Sequence, residues 1–242
     1  MNFETIFILL ISGALVSFLL GKALSLANRM VDSMSPESEF FMVKYKAFRI
    51  VIFFCKLLIA IGLTGTLSSG KGTVTDYLSE KGFKTHVFSD IIKDEINKTG
   101  QEVTRELLQN VGNALRQKHG HDVLAKRLVK KIEIENHNKV VVDGIRNTGE
   151  LELLNNTFNC LIIGITASPN IRYKYIVERA RTSDPISRKE FDRLEKRDRG
   201  HGEDVHGQQV DMCLELADHL IINEGTLEEL FHSIETIISN QM

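Results

Sequence analysis

At 242 residues with 43% hydrophobic side chains, the chain is long enough to bury one large core and to carry an additional segment. A formal net charge of -2 excludes the strongly basic character expected of a general nucleic-acid-binding domain. The widely separated Cys55, Cys160 and Cys213 match neither a disulfide framework nor a metal knuckle, so they favour a reducing, cytosolic setting.

The N-terminus is apolar. Residues 5–21 contain no charge, and a weaker apolar continuation follows them, so the stretch has the minimum length of a membrane-spanning helix. Lys22 and Arg29 follow the uncharged run, and the positive-inside bias would leave the rest of the chain in the cytoplasm. We therefore predict a hydrophobic helix over residues 1–30 that anchors a cytoplasmic catalytic domain to the membrane through residues 5–27. A non-spanning apolar helix and a start codon assigned too far upstream are the alternatives.

Residues 31–55 mix charged and apolar side chains and predict a linker. Residues 56–242 alternate short apolar runs with longer segments of helical pattern. The runs lack polar alternation, as parallel strands do when helices cover both faces of their sheet. They occupy residues 57–63, 85–89, 139–143, 160–166 and 219–223. Strands and helices that alternate with right-handed crossovers predict a three-layer α/β fold with about five parallel strands.

The loop after the first predicted strand, GTLSSGKGT at residues 65–73, is close to the phosphate-binding pattern G-x-x-x-x-G-K-[ST]. Its backbone N–H groups and the dipole of the next helix can hold phosphate oxygens, and Lys71 would reach the β- and γ-phosphates. Gly72 stands where the pattern usually supplies a hydroxyl to Mg²⁺, so Thr73 or a water molecule would supply it. The residues predicted to bind ATP in this loop are Gly65, Ser68, Ser69, Gly70, Lys71, Gly72 and Thr73.

Three further motifs lie where predicted strands end: SDIIK at residues 89–93, DGIR at 143–146 and NEGT at 223–226. Ligands of parallel α/β sheets bind beyond the carboxyl ends of the strands, so these motifs should converge on the P-loop. Asp143 could orient Mg²⁺ through water, or it could cap a helix. Arg146 could hold an acceptor phosphate bidentately, or it could be an ordinary surface arginine.

These motifs resemble those of nucleotide kinases over about residues 57–238. The Lys-Gly-Thr ending of the loop is similar to the adenylate-kinase group of nucleoside monophosphate kinases. SDIIK resembles the acceptor-site Gly-Asp-x-x-Arg of that group, and VVVDGIR resembles its Asp-Gly-Phe-Pro-Arg, shortened by one residue. The arginine-rich residues 179–194 resemble its lid, whereas residues 215–230 resemble dephospho-CoA kinase. The chain thus resembles a prokaryotic family of kinase-like P-loop proteins related to both, and this resemblance implies that the three-layer α/β domain has the P-loop NTPase fold.

The resemblance implies an acceptor site that contains Asp90, Lys93 and Arg146. It also implies an adenine pocket formed by the backbone of Asn223, Gly225 and Thr226, although these residues could equally cap the last helix.

By the same resemblance, Arg181 and Arg188 flank a turn-like tip and contact phosphates when a lid over about residues 179–203 closes. The implied cofactors are ATP and Mg²⁺, with the metal held by Thr73 and Asp143, partly through water. The implied catalytic residues are Lys71, Asp143, Arg146, Arg181 and Arg188.

Three hypotheses follow for function. The leading one is an ATP-dependent phosphotransferase that acts on a nucleotide or nucleotide-like small molecule. Dephospho-CoA kinase-like activity is an alternative, although Phe88-Ser89-Asp90 lacks the first carboxylate of that family's Asp-x-Asp motif. The second alternative is a membrane-tethered ATP-binding regulator with weak ATPase activity. This alternative is motivated by the absence of the prolines found in the adenylate-kinase motifs. The acceptor and the oligomeric state stay open.

Overall fold

The computed structural model describes residues 58–179 and 187–241. The predicted anchor and linker, and Arg181 in the predicted lid, lie outside these residues. The strands are β1 (Ile59–Gly65), β2 (Lys84–Val87), β3 (Lys139–Ile145), β4 (Leu161–Thr166) and β5 (His219–Ile222). The helices are α1 (Lys71–Glu80), α2 (Phe88–Asn97), α3 (Arg105–His119), α4 (Val123–Glu135), α5 (Thr148–Phe158), α6 (Pro169–Arg179), α7 (Arg188–Arg199), α8 (Val210–Glu215) and α9 (Leu227–Gln241).

The five strands form one sheet in the order β2-β3-β1-β4-β5, and every neighbouring pair is parallel. Parallel neighbours need crossover connections, and here helices supply them. The prediction of an α/β, P-loop NTPase-like fold with five parallel strands is confirmed.

Two apolar cores cover the two faces of the sheet. In β1, Ala60 faces the core built with helices α2 to α5, whereas Ile61 and Leu63 face the core built with α1 and α9. In β3, Val140 and Val142 face the first core and Val141 the second. Burial on both faces explains why these strands are continuous apolar runs.

Each strand differs from its predicted run by one or two residues at one end or both, and two of these differences have a clear physical cause. Strand β1 continues two residues past Leu63, because the hydroxyl of the fully buried Thr64 donates to the carbonyl oxygen of Ile145 at 3.0 Å and so satisfies a polar group inside the sheet. Strand β2 ends at Val87, and Phe88 begins α2 by placing its ring in the core.

In the part of the chain that the structure describes, no helix is long and apolar enough to cross a membrane. Residues 5–27 lie outside that part, so the anchor stays a prediction.

Candidate functional site

The glycines of the loop between β1 and α1 are required by close backbone packing. Gly65 has φ +149°, and a Cβ there would overlap the carbonyl oxygen of Ile165. Gly70 has φ +102° and directly precedes the first residue of α1, and a Cβ there would meet the Asn223 side chain. The left-handed conformation at Gly70 is one that glycine adopts without strain. The loop therefore turns tightly and leads directly into α1, whose first N–H groups have no carbonyl partner within the helix.

Lys71 lies at the start of α1 and turns back onto this loop. Its Nζ donates to the carbonyl oxygens of Gly65 and Thr66, each at 2.7 Å. Burial, reinforced by the nearby Arg146, lowers the pKa of Lys71 to about 7, although Asp143 acts in the opposite direction. A phosphate would supply the negative charge that this buried ammonium lacks.

A cavity of about 810 Å³ opens beside the loop, at the carboxyl edge of the sheet. Its volume is in the range of small-molecule sites. The wall carries more cationic than acidic side chains, which favours an anionic ligand. The cationic residues are Lys71, Lys93, Arg105, Arg116, Arg146 and Arg179, and the acidic ones are Asp76, Asp90 and Asp143.

Asp143 and Thr73 are two of the side chains that present oxygen atoms to the cavity beside the loop. The Oδ1 of Asp143 is buried and has no hydrogen-bond partner among the described residues. Burial raises the pKa of this carboxyl, while Lys71 and Arg146 oppose the rise. Thr73 lies in the first turn of α1 and also lines the cavity. Hard oxygen donors next to a phosphate-binding loop are suited to Mg²⁺, so the residues present are compatible with that ion.

Arg146 is held by a buried network at the end of β3. Its guanidinium donates to Asp198 and, at 3.3 Å, to the Oε1 of Gln208. Its backbone N–H donates at 3.0 Å to the Oε2 of Glu150. Burial, together with the positive charge of Arg105, lowers the pKa of Arg146 to about 10, which leaves it charged at neutral pH.

Glu150 is the centre of that network. It is fully buried, and its Oε1 accepts from the Nε and Nη2 of Arg116 at 2.9 and 2.8 Å. Its Oε2 accepts from the backbone of Asn147, with which it forms a capping box at the start of α5. One carboxylate thus positions Arg116 and the backbone of Arg146 at the cavity wall.

The predicted acceptor residues Asp90 and Lys93 both line the cavity. They lie on α2, and the Lys93 Nζ contacts the Asp90 Oδ1 at 2.8 Å. Both side chains are largely exposed, so a ligand could replace either partner at small cost.

The predicted adenine-pocket residues divide into two groups. Asn223 and Gly225 line the cavity, and the Asn223 amide donates at 2.9 Å to the carbonyl of Ser69, which ties β5 to the loop. Thr226 does not line it; its side chain accepts from the Glu229 N–H at 3.2 Å, and Glu229 accepts from the Thr226 N–H at 2.8 Å. This capping box starts α9, in agreement with the alternative interpretation that Thr226 caps the last helix.

Arg188 lies away from the cavity. Its guanidinium contacts Asp192 at 2.9 Å and Asn170 at 3.0 Å, and it stacks over the Tyr173 ring at 5.3 Å. Phosphate contact by Arg188 in a closed state stays a prediction, and Arg181 lies outside the described residues.

Helix α3 brings functional side chains that the motifs did not indicate. Arg105, Gln109 and Arg116 all line the cavity. Gln109 and Arg116 are almost completely buried, although a helix rich in polar residues normally indicates a solvated face. The only sequence signal was Gly112, which shares their face of α3 at helical spacing.

Comparisons with known proteins agree with this architecture. The family model AAA_18, described as an AAA domain, matches residues 61–211. A UPF0200 protein of Hyperthermus butylicus is 30% identical over 183 residues, which cover 76% of this chain and 93% of that protein. A UPF0200 protein of Sulfurisphaera tokodaii is 31% identical over 182 residues, 75% of this chain and 97% of that protein.

Among solved structures, TT1252 from Thermus thermophilus is similar in fold, with a TM-score of 0.51. The match has 18% identity and covers 76% of this chain and 98% of that one. The family match and the identities over nearly whole relatives establish the assignment: the chain belongs to the AAA_18 family of AAA domains and to the UPF0200 proteins.

Proposed function

We propose that the protein is an ATP-dependent phosphotransferase whose acceptor is an anionic small molecule of the nucleotide type. The observation that carries this proposal is one cavity lined both by a P-loop and by three arginines, Arg105, Arg116 and Arg146. Phosphoryl transfer needs mainly the positioning of two anionic reactants and the neutralisation of their charge. A P-loop that served hydrolysis alone would not need a second cationic wall.

The P-loop side would bind the donor. The N–H groups around Gly70 and Gly72 would bind the β-phosphate, and Lys71 would exchange its two carbonyl contacts for phosphate oxygens. Thr73 and Asp143 would hold Mg²⁺, which supplies neutralisation of the β- and γ-phosphate charge when bound.

The opposite side would bind the acceptor. Arg105, Arg116 and Arg146 line it, and guanidinium groups match phosphate oxygens bidentately. Lys93 and Asp90 lie at its exposed edge, where Asp90 could accept a hydrogen bond from an acceptor hydroxyl. The size of the cavity leaves room for both reactants.

A second candidate is an ATP-binding regulator with weak ATPase activity. The contact of Arg146 with Asp198 and Gln208 favours it, because an acceptor phosphate would have to displace these partners. Dephospho-CoA kinase-like transfer is a special case of the main proposal and is distinguished by its acceptor.

The full chain should be incubated with ATP, Mg²⁺ and a panel of nucleoside monophosphates, dephospho-CoA and uncharged nucleosides, with ADP release and product mass as the readout. We expect ADP and a phosphorylated product with one class of anionic acceptor. We expect Lys71→Ala to lower turnover about 100-fold or more, because it removes the ammonium group that would stabilise the negative charge of the transferred phosphoryl group. Lys98→Ala is the matched control, since Lys98 is exposed and its ion pair within residues 58–179 and 187–241 is with Glu95 on α2.

Slow Lys71-dependent ADP release without any phosphorylated product would favour the regulator. Equal turnover in Lys71→Ala and Lys98→Ala would show that the loop does not bind the transferred phosphate.

A further inference from the structure

Helix α7 does not line the cavity, but it contacts residues that belong to both of its sides. Four of its residues are buried at helical spacing, and they are Phe191, Leu194, Glu195 and Asp198. It falls within the predicted lid, yet this burial makes it part of the packed body of the domain. A single rigid helix therefore contacts groups on both sides of the site.

The contact with the donor side passes through Arg172 on α6. This fully buried guanidinium donates from Nε to the Ala167 carbonyl at 2.7 Å, from Nη1 to the Leu67 carbonyl at 3.0 Å, and from Nη2 to Glu195. Leu67 belongs to the phosphate-binding loop. Glu195 on α7 thus orients an arginine that holds the loop by its backbone.

The contacts with the acceptor side come from the neighbouring turns of α7. The Leu194 carbonyl accepts from the Gln109 amide on α3 at 3.3 Å, and Asp198 accepts from the Arg146 guanidinium. Gln109 and Arg146 both line the cavity. Glu195 lies next to Leu194 and one turn before Asp198, so a displacement of this segment moves all three contacts together.

We infer that Arg172 and Glu195 are positioning residues that couple the phosphate-binding loop to the acceptor side of the cavity through α7. Neither residue lines the cavity, so each acts through another group. The loop can shift at Leu67 only if the Arg172 contacts change, and those contacts end on the helix that also holds Gln109 and Arg146. The coupling of donor binding to acceptor binding rests on the proposed function, whereas its structural basis can be tested without nucleotide.

The test uses Arg172→Lys, Glu195→Gln and their double variant in the full chain. Lysine keeps the charge but lacks the planar fork that reaches three acceptors at once. Glutamine keeps the shape of Glu195 but removes its charge. Arg127→Lys is the matched control, because Arg127 pairs with Glu95 between α4 and α2 and does not line the cavity.

Amide hydrogen exchange is measured over residues 66–71 and 105–116, first without nucleotide and then with saturating ATP and Mg²⁺. We expect faster loop exchange in Arg172→Lys and Glu195→Gln than in the unaltered chain or Arg127→Lys. We expect ATP to slow exchange in α3 of the unaltered chain and the control, but not in the two variants. ATP affinity by calorimetry should fall about tenfold in both, and the double variant should match the single ones.

If Glu195→Gln shows the same loop exchange as Arg127→Lys, the inference is overturned. Because Glu195→Gln is isosteric, it decides the test even if Arg172→Lys fails to fold. Faster loop exchange with an unchanged α3 response to ATP would overturn the coupling. Failure of the unaltered chain to bind ATP would instead contradict the proposed function, and the nucleotide-free comparison would still decide whether Arg172 and Glu195 hold the loop.

Discussion

The two sides of the cavity are built in different ways. The P-loop side, where we propose that the donor binds, is formed mainly by one contiguous stretch, residues 65–73, whose backbone directions depend on glycine conformations. The acceptor side is assembled from side chains on α2, α3 and the end of β3, and a buried ion pair between Arg116 and Glu150 holds part of it. The donor side should therefore be sensitive to added volume, and the acceptor side to unbalanced charge.

The largest effect is expected from Glu150→Leu on the acceptor side. It leaves the buried Arg116 guanidinium without its carboxylate, which should lower the free energy of unfolding by about 3–5 kcal/mol. Urea denaturation followed by circular dichroism measures the change. Arg116→Met/Glu150→Leu should recover much of the loss, but not all, because the backbone N–H groups of Arg146 and Asn147 still lose their acceptor. A double variant less stable than Glu150→Leu would contradict charge imbalance as the cause.

A smaller loss is expected from Gly65→Ala on the donor side. Its Cβ would overlap the Ile165 carbonyl oxygen, a backbone atom that cannot rotate away, so we expect a loss of about 3 kcal/mol in the same assay. Gly72→Ala is the matched control, because no atom lies within 4 Å of its Cβ position, and its stability should change by about 1 kcal/mol at most. Equal effects at both positions would refute the role of close packing at Gly65.

The smallest effect is the pH dependence of ATP affinity. Because burial lowers the pKa of Lys71 to about 7, the free protein loses this proton as the pH rises above 7. Bound phosphate would favour the ammonium and raise the pKa, so binding should take up a proton, and affinity should fall by at most about tenfold per pH unit above 7. Below pH 7 Lys71 is protonated in both states, so its contribution to affinity is complete there.

Calorimetry between pH 6.5 and 8.5 at constant ionic strength, in two buffers with different ionisation enthalpies, measures this proton uptake. Lys71→Met should bind ATP more weakly and lack the Lys71-dependent part of the pH profile. If the ATP affinities of the unaltered chain and of Lys71→Met change with pH in parallel, Lys71 does not change its protonation on binding.

Several elements of the fold were predictable because their signals are local. Uninterrupted apolar runs indicated the strands, since both faces of the sheet are covered. The Thr226–Glu229 pair indicated the start of α9 through a capping box, which the structure contains. The end of β1 was predicted too early, because Thr64 looks like a turn residue until its hydroxyl finds the Ile145 carbonyl across the sheet.

The site was predictable to the extent that its residues are contiguous or end a strand. The loop residues, Asp143, Arg146, Asp90 and Lys93 were named from motifs, and the structure brings all of them except Gly65 to one cavity. Arg116 and Arg172 were not named from the sequence, because an arginine on a helix has the same sequence signature in solvent and in the interior. Only the position of a distant carboxylate, Glu150 or Glu195, decides between the two.

The sequence by itself determined the order of strands and helices along the chain, the P-loop, and the edge of the sheet at which the motifs after the strands meet. These follow from residue patterns over fewer than about ten positions, where backbone geometry is set by neighbours in the chain. The tertiary structure alone decided which charges are buried, with which partners, and that α7 contacts both sides of the cavity. Those outcomes depend on pairing between groups far apart in sequence, because a buried charge is tolerated only where the fold brings its counter-charge into contact.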